Sequence, residues 1–338
     1  MLIATGCVAA LAVSAGAWVI AANDFDIREQ RVTITGAAQT LQGTLALPKH
    51  GDGPFGLVVF VHGDGPANAD RDGFYRPLWE SFAAAGYASL AWDKPGIHGA
   101  AGNWLDQSMH DRATETEAAL DWARKRPEID VNRIGLWGIS QAGWVLPEVA
   151  VRHPELRFMV LVGAAVNWMR QGEYNLRAEL RERHAPEAEV AAELRRRDND
   201  LSLLREGANY DRYRSATTDS PPMSEDRWWF VRQNYRADVS ETLPRLRIPV
   251  LLLLGERDLN VDVAETERVY RESVPPDLLT VRTFPDASHN IVKFDLDRPD
   301  GVRPFLVAVF APRSLYAPGY LDALRRYAEQ PPNHRSAS

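Results

Sequence analysis

A single cysteine, Cys7, stands in a chain of 338 residues. With no second thiol there is no internal disulfide, and stability must come from a buried core. Basic runs are scarce too: Lys and Arg number 39 against 46 Asp and Glu, a net charge of −7. An acidic chain without a basic stripe is a poor partner for nucleic acid. The densest basic cluster, Arg195-Arg196-Arg197, has Glu193, Asp198 and Asp200 as neighbours and reads as a solvated helix face. No glycine loop of the phosphate-cradling kind opens a helix, and no histidine pair sits at metal-ligand spacing, so no cofactor or metal is expected. Charge is missing altogether from Leu2 to Ala22. That run is long enough to span a bilayer or to form the apolar part of a signal peptide, although no Lys or Arg precedes it. The expectation is export to the periplasm or the medium, or membrane association, through residues 1–22.

The chain as a whole is ordinary in composition for a globular protein, at 45% hydrophobic and 25% charged. Gln30 to Gly36 and Leu41 to Leu47 read as an antiparallel hairpin at a sheet edge. Apolar strands are expected at Leu57–Val61, Tyr87–Trp92, Ile134–Trp137, Phe158–Val162, Pro249–Leu254 and Leu278–Phe284. Helical patterns lie between them, at Phe74–Ala85, Ser108–Arg126, Trp144–His153 and Val261–Ser273, and a closing helix is expected over Arg313–Glu329. Ser108 and Asp111 stand at capping-box spacing. Strands apolar on both faces, alternating with helices, imply an α/β fold with a mostly parallel sheet covered on both sides. From about Val166 to Leu246 the alternation stops and charged helical stretches take over. The expected organisation is therefore one core, 30–165 and 247–330, with a helical insertion at 166–246.

In a parallel sheet, functional groups collect just beyond the C-terminal strand ends. Here those ends carry His62-Gly63-Asp64-Gly65, Asp93, Ser140, Asp258 and His289. Ser140 sits at the apex of Gly138-Ile139-Ser140-Gln141-Ala142, between a strand and a helix. This is the layout of a nucleophile elbow, in which the positions two before and two after the serine must be small. Ala142 departs from the usual glycine but remains small. Read alone, Ser140 could equally cap the next helix.

The order Ser, Asp, His along the chain, each at a strand end, resembles the α/β-hydrolase superfamily over about Val32 to Tyr327, and the insertion falls where that family carries a lid. His62-Gly-Asp-Gly-Pro66, Asp93-Lys-Pro-Gly96, Gly255-Glu-Arg-Asp258 and Ala287-Ser-His289 look most like its esterase and serine aminopeptidase-like members. The resemblance implies a Ser140 nucleophile, a His289 base and an Asp258 orienter, with Asp286 and Asp262 as alternatives to Asp258. It implies an oxyanion hole from the backbone amides of Gln141 and of Asp64 or Gly65. The Asp64 carboxylate is expected to turn away from the oxyanion, toward Arg71, and His62 to support the loop. The implied substrate is a small-molecule carboxylic ester. Thioesters and amides are alternatives, with Glu173 or Glu179 as an ammonium anchor for a peptidase. A non-catalytic binding module is the reading of a different class. Trp104, Trp144, Trp168, Trp228 and Trp229 are expected either to line an apolar substrate pocket or to pack the insertion onto the sheet.

Overall fold

The computed structural model describes residues 16–297 and 301–332. An eight-stranded sheet runs through it in the order β1-β2-β4-β3-β5-β6-β7-β8. β1 (Ile27–Ile34) and β2 (Leu41–Pro48) form the antiparallel edge hairpin, and β2 pairs antiparallel with β4 (Tyr87–Trp92). β3 (Phe55–Val61), β5 (Ile129–Ile139), β6 (Phe158–Val162), β7 (Val250–Gly255) and β8 (Leu279–Phe284) continue the sheet in parallel. Every residue of β3, β4, β6 and β7 is buried, as a sheet covered on both faces demands.

Helices cover both faces. α1 (Arg76–Ala84) packs Leu78, Trp79 and Phe82 on one side. On the other lie α2 (Met109–Ala123), which opens with the Ser108–Asp111 capping box, and α3 (Leu146–Arg152). Between β6 and β7 the chain makes four helices: α4 (Trp168–Glu182), α5 (Glu187–Arg205), α6 (Tyr210–Ala216) and α7 (Glu225–Asn234). They carry a small core of their own in which Trp228, Tyr213, Leu203 and Leu204 are buried. α8 (Val263–Ser273) then links β7 to β8.

The end of the chain departs from expectation. A helix not anticipated from the sequence, α9 (Val302–Phe310), buries none of its residues. The single helix expected over Arg313–Glu329 is divided into a 3-10 turn, Pro312–Leu315, and α10 (Tyr320–Glu329). The cause is both local and tertiary. Pro318 cannot donate to a helical ladder, while the amide of Lys293 donates to the Leu315 carbonyl and the amide of Ala317 to the Ile291 carbonyl. The strand-end loop that carries His289 is thereby stitched to 315–317. Of the apolar run expected as an anchor, residues 1–15 lie outside the described residues. Residues 16–22 are helical. Among the described residues no helix is long and apolar enough to cross a membrane.

Candidate active site

β5 ends at Ile139, and Ser140 follows at φ +57. A non-glycine residue in the left-handed region is costly unless its surroundings enforce it. Here a buried strand enters and a buried 3-10 turn, Ser140–Trp144, leaves toward α3. The crowding explains Gly138: a Cβ there would stand 2.6 Å from the Cβ of Ala142. Alanine at 142 is tolerated because its opposite number has no side chain.

β7 ends at Gly255, and Asp258 is buried in the loop beyond it. One carboxylate oxygen, Oδ1, accepts from the amides of Asn260 (2.7 Å) and Val261 (2.9 Å). The other, Oδ2, lies 2.7 Å from Nδ1 of His289. Asp258 is thus both a turn residue and the partner of the histidine. Of the two alternatives, Asp262 caps α8 by accepting from the Glu265 amide. Asp286 lines a separate cleft with Arg257, Phe284 and Phe294 that contains neither Ser140 nor His289.

Ser140 and His289 line one cavity of about 350 Å³. Gly163, at the end of β6 with φ +52, forms a floor under the imidazole: a Cβ there would lie 2.8 Å from Nδ1 and 2.9 Å from the carbonyl oxygen of His289. From the insertion, Gln171 and Asn175 of α4 reach the same cavity. α4 is seated on the Asp258 loop, with Tyr174 Oη donating to the Asp258 carbonyl at 3.0 Å and Gln171 Nε2 to the Asn260 carbonyl at 2.8 Å.

The loop after β3 faces the serine from the other side. A Cβ on Gly63 would come within 3.1 Å of the Ser140 Cβ, so the absence of a side chain eases this close approach. The Gly65 amide donates to its neighbour's carboxylate, Asp64 Oδ1, at 2.8 Å. Of the two amides considered for this loop, that leaves the one on Asp64 free of any hydrogen bond within the described residues. The Asp64 carboxylate does turn outward, but to Arg227 of α7 and not to Arg71. Arg227 Nη1 and Nη2 donate to Oδ1 and Oδ2 at 2.9 and 2.7 Å. Burial pushes the Asp64 carboxyl up, yet the Arg227 bonds and charge, with the Gly65 amide, bring it net below the ordinary range.

Buried Asp93 holds this loop by accepting from the Ala69 amide at 2.7 Å, and three more buried polar residues brace it, of which the sequence pointed only to His62. Its Nε2 donates to the Trp92 carbonyl at 2.7 Å, which leaves Nδ1 to accept from Tyr75 Oη at 3.1 Å. Burial, with Lys94 nearby, holds the imidazole down to about 3, so it stays neutral. Lys94 Nζ donates to the carbonyls of Gly63 (2.6 Å) and Gly65 (2.7 Å), pinning both peptide units of the loop. Burial and the Arg112 charge hold its ammonium well below the usual lysine range. Arg112, fully buried on α2, joins the Gln141 side chain to the His62 carbonyl. The spacing of Asp93-Lys94-Pro-Gly marks a turn, but nothing in it shows that Lys94 reaches the loop after the neighbouring strand β3.

Trp104, Trp144 and Trp168 take up the packing role between insertion and core, Trp228 packs within the insertion, and Trp229 meets Glu225 and Arg232 of its own helix. None lines the cavity at Ser140. Trp144 and Trp168 stack at 4.9 Å, and Trp104 sits edge-on to Phe230 with Lys94 above its ring. Trp228 stacks on Tyr213 at 4.1 Å inside the insertion, and Trp229 faces Arg232. In place of an aromatic pocket the cavity walls are His62, Asp64, Arg71, Gln171, Asn175, Asn260 and Asn290, with few apolar side chains.

Comparison with known proteins matches residues 52–297 to the family model described as serine aminopeptidase, S33. Similar solved structures include an esterase from Pyrococcus furiosus (TM-score 0.53, 19% identity, 86% of this chain and 92% of that one). Another is Est1E from Butyrivibrio proteoclasticus with ferulic acid bound (0.54, 13%, 88% and 96%). A third is a proline iminopeptidase from Mycobacterium smegmatis (0.52, 18%, 85% and 99%). A search of curated protein sequences returns no match.

Proposed function

The chain belongs to the serine aminopeptidase (S33) family of α/β-hydrolases and is a hydrolase; from that premise we propose that it cleaves carboxylic esters through an acyl-enzyme on Ser140. The observation that carries the reading is the 2.7 Å bond between His289 Nδ1 and Asp258 Oδ2, beside a cavity shared by His289 and a left-handed Ser140. Asp258 holds the imidazole with its proton on Nδ1, so Nε2 is the basic nitrogen. Ser140 Oγ attacks the ester carbon while Nε2 takes its proton. The carbonyl oxygen becomes an oxyanion between the amides of Gln141 and Asp64, each such donor worth about 3 kcal/mol of barrier. Collapse breaks the C–O bond, and the alcohol leaves with the proton from Nε2. Water then repeats the sequence on the acyl-enzyme and returns the free acid.

Thioesters and amides use the same machinery. Against the peptidase reading, Glu173 pairs with Arg177, Glu179 accepts from Asn175, and neither lines the cavity. The helical insertion serves as a cap in this reading, since α4 supplies part of the wall and α7 grips Asp64.

A fluorophosphonate probe should label Ser140 in the wild-type protein, with mass spectrometry locating the adduct, and Ser140→Ala should remove labelling and ester turnover together. Labelling elsewhere, or full turnover by Ser140→Ala, would remove the serine from its role. Absence of both labelling and turnover would favour a binding module on a hydrolase fold.

We also propose that the N-terminal segment holds the protein at a membrane. The support is the uncharged run Leu2–Ala22 together with an apolar surface where it joins the fold. Trp18 (63% exposed) and Ile20 (74%) are exposed in the helical residues 16–22, and so are Val302 (74%) and Phe305 (66%) of α9. Trp18 Nε1 donates to the Phe310 carbonyl and Asn23 Nδ2 to the Val309 carbonyl, both at 2.8 Å, which ties the segment to the C-terminal end of α9. The full chain should float with phospholipid vesicles. Full-length protein that stays in the aqueous fraction would contradict this.

A further inference from the structure

Arg71 is a cation that the proposed acyl-transfer chemistry leaves unused. It lines the Ser140 cavity on the loop between β3 and α1. Its backbone is left-handed (φ +50), and an Asn68–Asp72 turn holds it there: the Asp72 amide donates to Asn68 Oδ1, and Asn68 Nδ2 donates to Asp72 Oδ1. The guanidinium lies over the Phe74 ring, 4.9 Å from its centroid. Nη1 donates to Asn290 Oδ1 at 3.1 Å. The orientation of that amide is set from behind, because Asn290 Nδ2 donates to Asp297 Oδ2.

No carboxylate among the described residues comes within salt-bridge distance of Arg71. The nearby acids are all committed. Asp70 pairs with Arg76 at 3.0 Å, Asp72 closes the turn, and Asp64, the other charged residue of the cavity wall, is held by both nitrogens of Arg227. A guanidinium stays charged at any ordinary pH, and its planar fork matches a carboxylate with two parallel hydrogen bonds. The rest of the wall is mainly polar, with the amides of Gln171, Asn175, Asn260 and Asn290, while Tyr75 and Ile139 add ring and aliphatic surface.

We propose that Arg71 forms an anion subsite in the Ser140 cavity, and that the substrate is a small ester carrying a free carboxylate a few bonds from the scissile group. The inference rests on the serine-esterase reading for its catalytic half. The carboxylate binds Arg71, the ester carbonyl reaches Ser140, and the reaction remains acyl transfer to the serine followed by hydrolysis.

The test uses two esters of matched length, monomethyl adipate and methyl hexanoate, with turnover by the full chain measured as proton release. Wild-type protein should prefer the anion. In Arg71→Met the ratio of the two kcat/KM values should fall about 10–100-fold, the range set by a charge-assisted hydrogen bond. Arg71→Lys should keep part of the preference, because the charge survives while the fork is lost. Rising salt should erode the wild-type preference.

A second measurement does not depend on turnover. Calorimetry on Ser140→Ala should show binding of monomethyl adipate, and Arg71→Met in that background should abolish it. Equal kcat/KM for the two esters, or a ratio that Arg71→Met does not change, overturns the subsite while Ser140 labelling leaves the esterase reading standing. If labelling and turnover both fail, the esterase reading falls. Arg71-dependent binding would then still support the subsite, and no binding would overturn that as well.

Discussion

Arg227, on the last helix of the insertion, grips the carboxylate of Asp64 with two nitrogens at 2.9 and 2.7 Å. Asp64 sits in the loop that faces the serine, so the ion pair couples the insertion to the proposed oxyanion hole. It also neutralises a negative charge that would oppose an oxyanion. Both side chains are partly solvent-exposed, at 31% and 40%, so water screens the pair and its effect is modest.

Arg227→Ala should lower kcat/KM for a neutral ester about 3–10-fold at pH 8. The pH dependence separates an electrostatic role from a bracing one. Arg227 is what brings Asp64 below the ordinary carboxyl range against the upward push of burial. Without it Asp64 takes up a proton at higher pH and loses its repulsion, so the ratio of variant to wild-type activity should rise toward pH 5. A ratio that is flat, or that falls with acid, would show that the pair only braces the helix.

Asp258→Asn should cost about 10³–10⁴-fold in kcat with the fold retained. Asp258 Oδ1 accepts from two amides, so an asparagine oxygen takes that side and its NH₂ turns to His289. The imidazole must then accept at Nδ1, which puts the proton on Nε2 and leaves no base for the serine. Stopped-flow acylation with a p-nitrophenyl ester measures this directly. Near-normal acylation would hand the orienting role to another group.

These residues were legible because each ends a short apolar strand, and the parallel sheet gathers strand ends at one edge. The elbow follows from local chain chemistry, the roles of Ser140, Asp258 and His289 from their order at strand ends, and the outward turn of Asp64 from the cost of a carboxylate beside an oxyanion. The partners of Asp64 and Lys94 do not, because they depend on which loops face each other after folding. Arg227 is 163 residues from Asp64, and Lys94 is about 30 from the carbonyls it holds. Residue type also misled for the tryptophans. A large ring tells that a surface is buried, but not whether a substrate or another helix buries it. α9 is not legible in the sequence because its apolar run, broken only by Arg303, lacks a polar face, and amphipathicity is what marks a surface helix. The surface it presents to solvent has no counterpart in that rule.

His62 makes a prediction about stability rather than rate. It is buried neutral, with its imidazole held down to about 3 against 6.5 when free. Between those values the unfolded chain binds a proton that the folded chain refuses. The contribution of His62 is therefore complete above pH 6.5 and is lost progressively as pH falls toward 3, by up to about 1.4 kcal/mol per pH unit. Urea unfolding at pH 5 and pH 7 should show wild-type stability rising with pH, and His62→Gln should flatten that slope while lowering stability at pH 7. An unchanged slope would mean that the buried imidazole already carries its charge.

Gly163 offers the sharpest separation of site geometry from stability. A Cβ at this position would lie 2.8 Å from Nδ1 of His289, in a backbone with φ +52. The left-handed conformation costs alanine about 1–2 kcal/mol, and the contact forces the imidazole away from Asp258 or from the cavity. A displacement of that order costs about 10²-fold in rate. Gly163→Ala should therefore remain cooperatively folded with a lowered Tm, yet react with fluorophosphonate far more slowly than its stability loss explains. Gly172→Ala is the control, since that glycine lies in α4 with open space around its Cβ position. It should gain about 0.5–1 kcal/mol from the helix interior. Wild-type labelling rates in Gly163→Ala would show that His289 reaches its working position without this floor, and the link from β6 to the histidine would have to be abandoned.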